Sequence, residues 1–80
     1  MAILVKVEKI NTLNDVVTYS FSSEIGSSGT FSVDSLTGAL HLISSMPNDG
    51  RKMYFTRAAR KVMTEWKTNG FLPEKTYWAS

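Results

Sequence analysis

The chain of 80 residues carries one histidine, no cysteine and seven carboxylates. Imidazole catalysis needs a nucleophile beside the ring and an orienting acid behind it. Serines are plentiful, but none sits in the glycine-framed turn that exposes a nucleophile. The period-two pattern of "GALHLIS" turns His41 away from Leu40 and Leu42, toward Ser32 or Asp34 on an adjacent strand. A histidine so placed is a sheet-face group. With one imidazole and no thiolate, nothing has metal-ligand spacing. "NDG" at 48–50 offers calcium-compatible oxygens but reads as a turn. "EIGSSGT" at 24–30 leads into a strand, not into the helix N-terminus that would hold phosphate. The expectation is a protein that is not an enzyme, with no catalytic, cofactor or metal site.

The chemistry left is charge. The segment "FTRAARKVMTEWKTNG", Phe55 to Gly70, holds four of the nine basic residues. Residues 1–50 set two bases against five acids, a net −3, and residues 51–80 set seven bases against two acids, a net +5. Such asymmetry points to an acidic protein partner or to nucleic acid. Arg51, Lys52, Arg57, Arg60 and Lys61 make a candidate basic strip, and Tyr54, Tyr77 and Trp78 are aromatic neighbours of the type favoured in interface hot spots. Glu65 lies four residues beyond Lys61, where the two can pair. The leading expectation is a small non-catalytic protein-binding module that uses these eight residues against an acidic partner. The alternative is sequence-independent nucleic-acid binding through the same strip, each phosphate adding a salt-dependent increment.

The elements that must position these groups follow from periodicity. Ile3, Val5 and Val7 alternate with Lys6 and Glu8. After a turn at "NTLND", Val17, Tyr19 and Phe21 alternate with Thr18, Ser20 and Ser22. Phe31 and Val33 alternate with Thr30, Ser32 and Asp34, and Leu40 and Leu42 with His41. This predicts four short strands in an antiparallel meander with one apolar and one hydroxyl-rich face. In "DSLTG", Asp34 accepts backbone hydrogen bonds at a turn whose left-handed residue is Gly38. The stretch from Phe31 to Leu40 resembles a short cadherin-repeat pattern, an aspartate before Thr-Gly and an apolar strand. The acidic calcium-linker motifs of that family are absent, so turn chemistry is the reading here.

Arg51 to Phe55 reads as a fifth strand, with Met53 and Phe55 facing in and Thr56 as the N-cap of the following helix. The other reading has Asp49 cap a helix that runs unbroken to Asn69. In the helix Phe55, Ala58, Ala59, Val62, Met63 and Trp66 share an arc roughly 140° wide. Gly70 ends it in the left-handed position, Phe71 is placed to touch Trp66, and Pro73 prevents resumption. The stretch "GRKMYFTRAARKVMTEW" resembles the end of the three-strand-plus-helix DNA-binding modules of phage integrases. That family reads the groove with its sheet face, and the corresponding face here is hydroxyl-rich and slightly acidic, the wrong sign for DNA.

The expected architecture is α+β: an antiparallel β-meander of four to five strands, with one C-terminal helix packed on one face. It forms a single domain over 1–80, with sheet at about 2–55, helix at about 56–69 and an irregular tail at 70–80. The expected core is Ile3, Val5, Val7, Val17, Tyr19, Phe21, Phe31, Val33, Leu40, Leu42, Ala59, Val62 and Trp66. The apolar run at Ala2–Val5 is too short for a signal peptide or a membrane span, so the protein is expected to be cytoplasmic, as a monomer or homodimer.

Overall fold

The alternating first half folds as the meander that its period dictates. In the computed structural model, which describes residues 4–24, 26–47 and 52–79, the strands are β1 (Leu4–Leu13), β2 (Val16–Ser23), β3 (Ser28–Asp34) and β4 (Leu40–Ser44). Helix α1 (Met53–Asn69) and a last strand β5 (Lys75–Ala79) follow. The result is α+β: a five-stranded antiparallel sheet in the order β4-β3-β2-β1-β5, with α1 on one face.

Register sorts the two faces. On the helix side Val7 stands opposite Phe21, Val17 opposite Val33, and Tyr19 opposite Phe31. On the open side Thr18 pairs with Ser32, Ser20 with Thr30, and Ser32 with His41. The inner row is the core: Val5, Val7, Tyr19, Phe21, Phe31, Val33, Ala58 and Val62 are all fully shielded. Each fully buried valine or phenylalanine contributes roughly 1.5–3 kcal/mol. Phe31 is the aromatic hub, with ring centroids 5.5 Å from Tyr19, 5.7 Å from Phe21 and 5.6 Å from Phe55.

Turn chemistry holds as predicted at Asp34. Its carboxylate accepts the Leu36 N–H at 2.8 Å, its carbonyl accepts the Gly38 N–H at 2.7 Å, and Gly38 has φ 79°. The helix stop is also as expected, with Gly70 at φ 82° and its N–H on the Trp66 carbonyl.

Four expectations need correction. First, β1 continues through Asn11, Thr12 and Leu13, over a bulge between Lys9 and Asn11, and the turn shrinks to Asn14–Asp15 with Asn14 at φ 55°. Second, Met53–Phe55 is helix, not strand, so Thr56 lies inside the first turn and gives its N–H and hydroxyl to the Lys52 carbonyl. The earlier start keeps Phe55 on the arc of Ala58, Ala59 and Val62 while it seals Phe21 and Phe31. Arg51 and the proposed cap Asp49 lie outside the described residues, as does Ile3.

Third, the tail is not irregular. Lys75–Ala79 pairs with β1 over five residues. Fourth, the helix lies over β1, β2 and β5 and leaves the far edge uncovered. Leu40 on β4 is consequently 42% exposed, and Trp66 is only half-buried, beside Gly38. Phe71 is exposed, and Leu72 packs on the core instead. Met46, just past β4, fills a place in the core that its turn-rich surroundings hid.

A candidate partner-binding face on helix α1

Strand β5 decides where the cations point. It widens the sheet on one side, and α1 rolls so that Tyr54, Arg57, Lys61 and Glu65, which share one flank of the helical wheel, are all half-buried. Arg57 stacks on Trp78, its guanidinium carbon 5.6 Å from the indole centroid, a cation–π contact within useful range. Trp78 is on the inner face, opposite Val5, and packs against the core. Lys61 Nζ lies 3.6 Å from Glu65, whose carboxylate also accepts the Thr76 hydroxyl at 2.7 Å. The predicted Lys61–Glu65 pair is therefore present, and it also ties α1 to β5. Tyr54 packs against the core.

The eight sequence-predicted residues are thus divided rather than gathered. Arg57, Lys61, Tyr54 and Trp78 meet on the β5 flank. Tyr77 is 63% exposed on the opposite face of the sheet, across from Lys6. Lys52 is exposed at the helix start in a left-handed conformation, and Arg60 is exposed on the helix back. Arg51 falls outside the described residues.

Sequence reasoning missed the groove on the other flank. Between α1 and β4 lies a depression of about 370 Å³ with Leu40, Phe55, Ala59 and Met63 as its apolar floor. Arg60 and Lys67 stand at its rim among Thr56 and Thr64. The signal was present in the spacing, since Phe55, Ala59 and Met63 repeat every four residues and Arg60 and Lys67 lie seven apart. What was invisible was that Met63 and the rim cations face a depression beside Leu40, which is itself 42% exposed. The solvent face of α1, Thr56, Arg60, Thr64, Lys67 and Thr68, contains no carboxylate, and among the described residues neither Arg60 nor Lys67 has an acidic partner.

Tyr19 is enclosed in the core and donates its hydroxyl to the Pro73 carbonyl at 2.6 Å. Burial, with a smaller push from the Glu65 carboxylate, raises its pKa from 10.0 to about 12. His41 is exposed opposite Ser32. Among the described residues no group of three or more histidine or carboxylate side chains comes together as a metal site, and no helix is long and apolar enough to cross a membrane. No family model, curated protein or solved structure matches this chain.

Proposed function

We propose that this is a non-catalytic protein-binding module whose partner presents an apolar side chain flanked by carboxylates to the α1–β4 groove. One observation carries the reading: a depression with Leu40 and Met63 in its apolar floor is rimmed by two cations, Arg60 and Lys67, that no acid among the described residues pairs with. A partly apolar pocket with charged rim groups is the arrangement of interface hot spots, the floor supplying affinity and the rim steering and register. Lys52, beyond the N-terminal end of the groove, extends the positive field along the same helix. Arg57 and Lys61 support the fold more than the contact, because Trp78 and Glu65 already engage them. On α1 that leaves Arg60 and Lys67, with Lys52 at its start, as the cations that among the described residues remain open to an acidic group, whether a carboxylate or a phosphate.

The test is selection of a displayed peptide library against the folded chain. Recovered peptides are expected to combine a leucine or aromatic anchor with Asp and Glu. They should lose at least tenfold in affinity, about 1.4 kcal/mol, for Arg60→Glu/Lys67→Glu and for Met63→Lys. Equal binding by these variants removes the reading. Preferential binding of oligonucleotides that weakens steeply with salt replaces it with the nucleic-acid alternative.

A further inference from the structure

The sheet has two edges, and they are built differently. β4 is interrupted by a register shift between Thr30 and Phe31 of its pairing with β3, while β5 runs without a bulge over all five residues. Bulges blunt an edge, whereas a regular edge strand is a template for another strand. One hydrogen bond sets the phase of β5: the Lys9 N–H donates to the Glu74 carbonyl at 2.7 Å. Antiparallel ladders alternate between bonded and non-bonded pairs, so Val7/Thr76 and Val5/Trp78 are bonded pairs as well. The N–H and C=O groups of Lys75, Tyr77 and Ala79 therefore point away from β1, and among the described residues no strand meets them.

Three outward residues at two-residue spacing are self-complementary about the middle one. A two-fold axis at Tyr77, normal to the sheet, sets Tyr77 against Tyr77 of a second copy and Lys75 against Ala79. Each outward N–H then meets a carbonyl, no lysine faces a lysine, and both helices lie on the same side. The same axis puts Thr76 opposite Trp78 of the second copy. Glu65 is held on Thr76 and Arg57 on Trp78, so each Glu65 is carried toward the Arg57–Trp78 pair of the other copy. The half-buried Arg57 guanidinium is what that carboxylate meets; its Nε, like Trp78 Nε1, is shielded within the chain and has no hydrogen-bond partner among the described residues. A carboxylate has lone pairs to spare beyond the Thr76 and Lys61 contacts.

We infer that β5 is a homodimerisation edge, joining two copies into one ten-stranded antiparallel sheet sealed by reciprocal Glu65-to-Arg57 contacts. This isologous interface lies on the opposite flank of α1 from the groove, so it stands or falls separately from the peptide-binding reading.

Sedimentation equilibrium of the full chain tests it. The wild type is expected to dimerise, and a monomer at about 1 mM overturns the proposal. Tyr77→Pro removes an outward N–H and the central side chain of the edge while leaving every β1–β5 ladder bond, so it is expected to give a folded monomer, and a dimer retained in that variant overturns the proposal. Arg57→Glu should weaken dimerisation at least tenfold, and Arg57→Glu/Glu65→Arg should restore it, because the axis exchanges the two positions. Failure of either effect overturns the inference. Should Tyr77→Pro not fold, amide exchange in the wild type decides. Slower exchange of the Tyr77 and Ala79 amides at high protein concentration supports the edge, and unchanged exchange removes it.

Discussion

Tyr19 places a polar atom at the bottom of an apolar core and satisfies it with the Pro73 carbonyl, 54 residues away. Removing the hydroxyl in Tyr19→Phe leaves that carbonyl unpaired and is expected to cost about 1 kcal/mol at neutral pH. The pH dependence has a definite sign. The folded pKa is raised above the unfolded 10.0 to about 12, so the folded state holds the proton more tightly. This contribution is fully present below pH 10 and is lost as pH rises through about 12. Relative to Tyr19→Phe, wild-type stability should fall by up to about 1.4 kcal/mol per pH unit in that window. Urea titrations of both proteins at several alkaline pH values check it, and parallel curves refute it. Gly29 makes a second residue-scale prediction. A Cβ there would stand 2.6 Å from Phe21 Cζ, 2.6 Å from the Ser44 carbonyl and 2.9 Å from the Met46 N. Two of those three atoms are backbone and cannot swing aside, so Gly29→Ala is expected to cost about 3 kcal/mol by overpacking, read as a shift in urea midpoint.

At the scale of elements, the alternating strands and the helix stop were legible because each is written in local periodicity and turn chemistry. Val5 to Val7, Val17 to Phe21 and Gly70 fell where the pattern put them. The depth of burial was not legible. Trp66 is the largest apolar side chain on the predicted helix face, yet it sits at the rim while Phe31 holds the centre. Phe31→Ala is therefore expected to cost about 3–5 kcal/mol, and Trp66→Ala only about 1–2 kcal/mol, with urea denaturation giving the ranking. Strand β5 was missed because Pro73 and a short, charged approach read as an unstructured end. Its Thr, Tyr and Trp are strand formers that only a neighbour makes stable. Proline separates its two sides. Thr76→Pro removes a ladder bond to Val7 and should destabilise by at least about 1 kcal/mol more than Tyr77→Pro, measured where both proteins are dilute.

For the whole molecule, the distribution of charges says more than their sum. The excess of bases in the C-terminal part suggested one strip, but packing spends Arg57 on Trp78 and Lys61 on Glu65, leaving Arg60 and Lys67 beside an apolar groove. Binding through that groove should weaken when salt is raised from low to physiological levels, by an amount that the neutral double variant Arg60→Gln/Lys67→Gln abolishes. Isothermal titration with a selected peptide at two salt concentrations measures it, and a salt-independent affinity contradicts the role given to the two cations.

By itself, the sequence determined what is periodic or local: a meander with one oily face, the Asp34 and Gly38 turn, a helix closed by Gly70, the Lys61–Glu65 pair. Each depends on residues a few positions apart, so neighbouring side chains record it directly. Only the tertiary structure decided that β5 joins the sheet beside β1, that α1 rolls toward that edge, and that a groove is left open along β4. Those outcomes depend on which distant strands align and how wide a sheet the helix must cover, a competition among long-range contacts that no single window of the chain contains.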